Sequence, residues 1–133
     1  MNSVFSKIIN GELPGHFVWK DDLAVAIMTI APIREGHVLV IPRAEIDHWD
    51  ELEPSTAAHL MTLSQRIAIA QKQQFPCKRI AMIIAGFEVP HTHLHLIPCD
   101  HEGELHFSLA RPAEQEVLAE NAARLRGALA DKG

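Results

Sequence analysis

Three histidines at alternating positions are the residues of this chain best suited to chemistry. His91, His93 and His95 lie in one short run that is bounded by Pro90 and Pro98. Successive side chains of a β-strand point to opposite faces, so a strand over residues 90–98 would place all three imidazoles on one face, about 7 Å apart. Imidazole has an unperturbed pKa of about 6.5, so it can act as acid, base, nucleophile or metal ligand near neutral pH.

Three interpretations of this run compete. A histidine held by its neighbours can be the nucleophile in phosphoryl or nucleotidyl transfer. Alternating histidines can also converge on zinc or iron, provided that a further ligand lies nearby in the fold. A solvated polar face is the third interpretation, but Thr92, Leu94 and Leu96 would give the opposite face of the strand a place in the core. We therefore favour nucleophilic chemistry.

The pattern of histidines and intervening residues resembles the signature of the histidine triad (HIT) family, with Thr92 at one normally apolar position. The segment from Phe5 to Pro14 is similar to the opening of that family. The segment from Gly36 to Arg43 is similar to its central strand. The resemblance therefore covers about residues 3–98, and several motifs in the same order are much more specific than the histidines alone.

Hydrophobic periodicity predicts the elements that position the histidines. A short helix is expected over 4–10, a main helix begins near Pro54 with Met61 and Ile67 on its inner face, and a final helix follows Pro112. Strands are predicted over residues 16–20, 23–29, 37–41, 79–85 and 90–98. The short link between the last two strands indicates an antiparallel hairpin, which favours an α+β fold over a doubly wound sheet.

The resemblance implies the same class of fold in more detail. It implies an α+β, HIT-like five-stranded antiparallel sheet with two main helices, to which this chain adds a C-terminal helix. It also implies that two copies pair as a homodimer. We expect a single domain over residues 1–133, with its core over about 3–98 and a C-terminal extension over 99–133.

Composition excludes several other classes of protein. With 133 residues the chain is long enough for one well-packed core. A formal net charge of −5 gives no electrostatic footprint for nucleic acid. No apolar run approaches the roughly 20 residues of a membrane helix, and the first residues do not resemble a signal peptide. Cys77 and Cys99 are too few for a disulfide framework, so we expect reduced thiols and a cytoplasmic location.

The resemblance also implies a mechanism. His93 would be the nucleophile that attacks the α-phosphate of a nucleotide, and water would hydrolyse the covalent nucleotidyl-histidine. His91 and His95 would position the ring and the phosphate. His37 matches a family position that lines the site, although it is equally well explained as a capping or solvated residue at the start of a strand. The remaining histidines are expected at the surface: His16, His48, His59, His101 and His106.

One departure from the family concerns a metal. Many members carry two cysteines near the start and a histidine after the central strand, which form a structural zinc site with the first histidine of the triad. The matching residues here are Ser3, Ser6 and Glu45. Serine hydroxyls are poor zinc ligands and one carboxylate cannot replace two thiolates. We therefore expect no metal and no cofactor, which would leave His91 free to serve the active site.

Other departures concern the substrate pocket. Thr29 stands where relatives usually have an aspartate that binds a ribose diol, and a threonine cannot accept two hydrogen bonds from a diol as a carboxylate does. Glu88 lies just before the triad and would repel a phosphate when ionised, unless it is protonated or turned away. Phe87 either stacks on a base or closes the core.

The resemblance implies a hydrolase that acts on the α-phosphate of a nucleoside phosphoramidate, a dinucleoside polyphosphate or a related nucleotide. The altered pocket leaves a second possibility, a protein that binds a nucleotide or phosphate ligand with little turnover. If the protein is a hydrolase, Glu88 would be the proton donor to an amine or phosphate leaving group. His93, His95 and His91 are the expected catalytic residues, and His37, Thr29, Phe87 and Glu88 the expected substrate-binding residues.

Overall fold

A computed structural model describes residues 2–131 of the chain. Its helices and strands, in chain order, are α1 (Val4–Ile9), β1 (Phe17–Lys20), β2 (Ala24–Met28), β3 (Val38–Pro42), α2 (Pro54–Gln74), β4 (Arg79–Ile83), β5 (Leu94–Cys99) and α3 (Gln115–Asp131). Short 3-10 turns at Trp49–Glu51, Glu102–Glu104 and Phe107–Leu109 lie in the connections. Within residues 2–131, every helix is too short or too polar to cross a bilayer.

The strands form one sheet in the order β1-β2-β3-β5-β4, and every neighbouring pair is antiparallel. β4 and β5 form the expected antiparallel hairpin, with Ile83 opposite His95 and Arg79 opposite Cys99. The link between them, residues 84–93, is longer than predicted because β5 begins only at Leu94. The predicted α+β fold with a five-stranded antiparallel sheet is therefore confirmed.

The two faces of the sheet have different cores. One face packs against α2 and α3, and α3 contributes Leu118, Leu125 and Leu129 to the same cluster as the strands. The other face packs against α1 in a smaller cluster around Phe5. Leu94 and Leu96 of β5 face the two long helices. Because side chains alternate along a strand, His95 projects from the opposite face, on the side of α1.

The strand that carries the histidines is shorter than predicted. It begins at Leu94, so only His95 of the three histidines lies in the sheet ladder. Pro42 and Pro90 have no N–H to donate to a ladder. The backbone N–H of Thr92 instead donates to the carbonyl of Ile46, at 2.8 Å, in the segment after β3. The triad therefore enters the sheet from a loop and does not lie along one strand face.

Gly36 gives the chain its sharp approach to β3. Its φ of +96° lies in the region that favours glycine, and a Cβ added there would lie 2.6 Å from the ring of Phe75. The Gly36 carbonyl accepts a hydrogen bond from the buried side chain of Gln71 in α2, at 2.8 Å. This packing fixes the backbone immediately before His37.

Candidate active site

His93 is held so that one ring nitrogen remains available. Its Nδ1 lies 2.7 Å from the backbone carbonyl oxygen of His91. A carbonyl only accepts, so Nδ1 carries the proton and donates it, and Nε2 keeps its lone pair. The Phe5 ring packs edge-on against the imidazole, with 4.8 Å between ring centroids. The arrangement leaves Nε2 as a free base or nucleophile.

A second chain of hydrogen bonds orients His95. The N–H of Ile33 donates to Nδ1 of His37 at 3.1 Å, so the proton of the neutral His37 ring lies on Nε2. That Nε2 lies 3.0 Å from Nδ1 of His95. Nδ1 of His95 therefore accepts, and its Nε2 carries an N–H. The backbone N–H of Ile33 thus determines, through two rings, which nitrogen of His95 can donate.

The available nitrogens belong to residues that line one small pocket of about 110 Å³. The residues that line it are Ala85, Gly86, Phe87, Glu88, His93, His95 and Phe107. The rings of His93 and His95 pack against each other with 4.9 Å between their centroids and an angle of 58° between their planes. A lone pair on one imidazole and an N–H on its neighbour can attack an electrophile and bind its oxygen at the same time.

Burial keeps the three rings of this site neutral. It lowers the pKa of His37 to about 3, with a contribution from His95. It also lowers the pKa of His95 to about 4, helped by the neighbouring His93. The pKa of His93 is lowered by burial too, although the hydrogen bond to the His91 carbonyl and the charge of Glu88 oppose that shift. A neutral imidazole is the form that can act as a nucleophile.

The ring of His91 lies outside this pocket. It is 0% exposed, and its Nε2 lies 2.7 Å from the carbonyl oxygen of Pro42. Its Nδ1 lies 2.6 Å from Oγ of Ser3. Both nitrogens are therefore occupied, and the expected freedom of this ring to bind a phosphate has no support in its placement. The backbone carbonyl of His91, by contrast, accepts the hydrogen bond from Nδ1 of His93, the expected nucleophile.

The residues at the family's zinc position do not fit a zinc ion. Glu45 Oε1 accepts hydrogen bonds from the Ser3 N–H, at 2.9 Å, and from Oγ of Ser6, at 2.7 Å. The Ser6 hydroxyl and the Glu45 carboxylate are thus hydrogen-bonded to each other, and the cluster contains no thiolate that could bind zinc. Among residues 2–131, no three side chains of His, Cys, Asp or Glu converge in a way that would hold a metal ion.

The predicted substrate-binding residues are only partly brought together. Glu88 and Phe87 line the pocket. His37 does not line it, but it is hydrogen-bonded to His95, which does. Thr29 does not line it, and its Oγ1 accepts a hydrogen bond from the N–H of Ala31 at 3.3 Å. The suggestion that Phe87 closes the core is wrong, because the residue is 97% exposed.

Phe107 is a pocket residue that the sequence did not reveal. Its ring packs on His95 with 4.8 Å between centroids. It lies in the segment after the triad, where Arg34 holds the chain through hydrogen bonds to Asp100 and Glu104. No spacing pattern links that segment to the histidines, so the signal was missing from the sequence.

The other histidines lie outside the pocket. His48, His101 and His106 are exposed as expected, whereas His16 and His59 are half-buried. His59 Nε2 lies 2.7 Å from Asp21 Oδ2, the same oxygen that accepts from Trp19.

A larger cavity of about 410 Å³, beside β1 and α3, shares no residue with the triad pocket. It is lined by apolar side chains together with Lys20, Arg66 and Arg126. Because the imidazoles are held elsewhere, we place the candidate active site in the smaller pocket.

Comparison with known proteins identifies the family. The model of the HIT domain matches residues 10–102, which is most of the chain, and the protein therefore belongs to the HIT family. An uncharacterized HIT-like protein of Methanocaldococcus jannaschii is 32% identical over 99 residues, which cover 71% of this chain and 77% of that protein. A Hit-like protein of Bartonella henselae, whose crystal structure contains an unknown ligand, superposes with a TM-score of 0.85 at 31% identity and 96% coverage of both chains.

A third relative has a named activity. The adenosine 5′-monophosphoramidase of Schizosaccharomyces pombe is 31% identical over 104 residues, which cover 77% of each protein. Family membership and relatives of this kind support a nucleotide hydrolase type of function.

Proposed function

We propose that this chain is a hydrolase that acts on the α-phosphate of a nucleoside phosphoramidate, a dinucleoside polyphosphate or a related nucleotide. The observation that carries the proposal is the pair of complementary nitrogens in one pocket. Nε2 of His93 has a free lone pair because its Nδ1 is bound to the His91 carbonyl. Nε2 of His95 has a proton because its Nδ1 accepts from His37. The activity of the Schizosaccharomyces pombe relative supports the same chemistry.

In the first step, Nε2 of His93 attacks the α-phosphorus and a P–N bond forms. The bond from phosphorus to the leaving-group nitrogen or oxygen breaks, and the leaving group keeps the electron pair and takes up a proton. The N–H of His95 donates to a phosphate oxygen whose charge grows in the transition state. The product is a covalent nucleotidyl-histidine.

In the second step, a water oxygen attacks the same phosphorus. The P–N bond to His93 breaks, its electron pair returns to Nε2, and the water gives up a proton that replaces the one taken up by the leaving group in the first step. The enzyme returns to its starting state and the nucleoside monophosphate is released. Two displacements with a good leaving group in each replace one difficult displacement.

Glu88 lies where it can serve the leaving group. It lines the pocket with His93, and its charge acts on that ring. When protonated, the carboxyl group can give its proton to an amine as the P–N bond of a phosphoramidate breaks. When ionised, it favours a leaving group that is neutral or positive over one that is negative.

The pocket itself holds only part of a nucleotide. Ligand sites for molecules of that size usually enclose about 300 Å³ or more. The triad pocket shares Ala85, Gly86 and Phe87 with an adjoining cavity of about 410 Å³. We therefore place the reacting phosphate at the histidines and another part of the substrate beyond this shared wall.

Turnover of adenosine 5′-phosphoramidate by the purified protein and by His93→Asn tests the proposal, with His101→Asn as a control at an exposed histidine outside both cavities. We expect turnover in the wild type and the control, and none in His93→Asn. The alternative, a nucleotide-binding protein with little turnover, predicts equal binding by all three proteins and no product. The position of Thr29 outside the pocket lining and the carboxyl group of Glu88 within it are the features that favour this alternative.

We also propose that the chain forms a homodimer and binds no structural metal. β4 is an edge strand of the sheet, which leaves its outer side open for a second copy. Light scattering on the purified protein tests the dimer. Elemental analysis after purification without chelator tests the metal, and stoichiometric zinc would contradict the proposal. The free thiols of Cys77 and Cys99 support a cytoplasmic location.

A further inference from the structure

We propose that Ser3 and Glu45 are positioning residues for the nucleophile, acting through the ring and then the backbone carbonyl of His91. This inference rests on the proposed function of His93. It extends that function to a cluster that lies on α1 and the segment after β3, outside the pocket itself.

The first link is the ring of His91, which is held at both nitrogens. Nε2 donates to the Pro42 carbonyl at 2.7 Å, because a carbonyl cannot donate. Nδ1 must then accept, so the Ser3 hydroxyl donates to it at 2.6 Å. His91 is fully buried and Ser3 is buried as well. Loss of the hydroxyl therefore leaves a buried acceptor without a partner.

The second link holds Ser3 itself in place. Its Oγ accepts from the N–H of Ser6, at 2.9 Å, which leaves its proton for His91. Its backbone N–H donates to Oε1 of Glu45 at 2.9 Å, and the Ser6 hydroxyl donates to the same oxygen at 2.7 Å. The bonds from Ser3 and Ser6 lower the pKa of Glu45, so the carboxylate that accepts them is charged at neutral pH. α1 is thus anchored beside the triad.

The third link reaches the reacting atom. The carbonyl oxygen of His91 accepts from Nδ1 of His93 at 2.7 Å. The backbone at His91 lies in a loop and is not fixed by the sheet ladder, since β5 begins at Leu94. The same peptide group is held on one side by the Thr92 N–H, which donates to the Ile46 carbonyl at 2.8 Å. On the other side it is held through the ring of His91, so the direction of the carbonyl depends on both anchors. Any rotation there moves the lone pair of His93 Nε2 away from the phosphorus.

Two variant pairs separate this role from a general loss of stability. Ser3→Ala removes the hydroxyl, whereas Ser3→Thr keeps it. Glu45→Ala removes both acceptor oxygens, whereas Glu45→Gln keeps one that can accept the same bonds. Ser55→Ala is the matched control, because Ser55 is an exposed serine in the first turn of α2.

Steady-state kinetics on adenosine 5′-phosphoramidate give the first readout. We expect Ser3→Ala and Glu45→Ala to lower kcat by about 10- to 100-fold, the usual cost of a small misplacement of a reacting group. KM should stay close to the wild-type value, because the pocket residues are unchanged. Ser3→Thr, Glu45→Gln and Ser55→Ala should retain most of kcat.

The pH profile gives a readout that lost stability alone would not move. The bond from Nδ1 to the His91 carbonyl favours the protonated His93 ring, while Glu88, His91 and His95 remain around it. Weakening that bond lowers the pKa of His93. The acidic limb of kcat/KM should therefore move to lower pH in Ser3→Ala and return in Ser3→Thr.

Nitrogen-15 NMR of the histidine rings tests the positioning role of Ser3 even if the wild type shows no turnover. We expect the proton of His93 on Nδ1 in the wild type, and a mixture of both neutral forms in Ser3→Ala. If the wild type is inactive but this change is seen, the proposed function fails and the positioning role stands. If Ser3→Ala keeps the wild-type ring signals, kcat and pH profile, the positioning role is wrong.

Discussion

Nε2 of His37 lies 3.0 Å from Nδ1 of His95, and this contact determines which nitrogen of His95 can donate into the pocket. The Ile33 N–H on the far side of His37 sets the direction of the relay. His37 is therefore neither solvated nor a simple strand cap. It orients a residue that we expect to touch the substrate.

Replacing His37 with leucine should lower kcat by about 10- to 100-fold, because His95 then loses the donor that fixes its Nε2–H toward the phosphate. His37→Gln should recover part of the rate, since its amide can donate in the same direction. The Ile33 N–H loses its acceptor in His37→Leu, so the free energy of unfolding should fall by about 1–3 kcal/mol. Equal rates for His37→Leu and the exposed control His101→Leu would show that the relay has no part in turnover.

Glu88→Gln should move the acidic limb of the pH–rate profile to lower pH. The charge of Glu88 raises the pKa of His93 against the effect of burial. Without that charge, protonation of the nucleophile requires more acid, and the neutral ring persists further down the pH scale. The measurement is kcat/KM on a phosphoramidate over a pH series, with Glu116→Gln on α3 as control. An unchanged profile would remove Glu88 from both the electrostatics and the proton transfer.

Phe87→Ala should change substrate binding and leave stability alone. The ring is 97% exposed, so it contributes little packing, and the free energy of unfolding should change by less than about 0.5 kcal/mol. If the ring stacks on a base, its loss costs about 1–3 kcal/mol of binding, which is measured by calorimetry with a nucleoside monophosphate. Leu23→Ala is the control at another exposed apolar residue. Unaltered affinity would exclude the stacking role.

Gly36→Ala and Gly127→Ala should have opposite effects on stability. At Gly36 the positive φ and the nearby Phe75 ring oppose a Cβ, so we expect a loss of about 1–3 kcal/mol. At Gly127, within α3, nothing lies within 4 Å of an added Cβ. There we expect a gain of about 0.5–1 kcal/mol, because alanine is the better helix former. Denaturant unfolding of both variants measures the difference, and equal effects would contradict the strained approach to β3.

Much of the fold could be predicted because its signals are local. The continuous apolar runs of β2 and β3, the turn at Gly36 and the proline that opens α2 each appear in a few consecutive residues. The inner face of α2 was less well predicted. Ile67 is buried as expected, but Met61 is 52% exposed. Periodicity alone does not tell how wide a helix face the sheet covers.

The candidate site was predicted in its residue types and less well in its contacts. His93 and His95 share the pocket, but the ring of His91 is bound by Ser3, which lies 88 positions earlier in the chain. Phe107 reaches His95 from a segment with no recognisable pattern. Contacts of this kind depend on how distant segments pack together, which residue spacing along the chain does not predict.

Intact-mass spectrometry tests the central claim, that His93 is a covalent nucleophile, most directly. The wild type and His93→Asn are incubated briefly with adenosine 5′-phosphoramidate and quenched without acid, which preserves a P–N bond. We predict that the wild type gains the mass of one adenylyl group, that His93→Asn gains none, and that the added mass disappears as product forms. Turnover by His93→Asn, or any adenylyl adduct on that variant, would contradict the claim that His93 is the nucleophile.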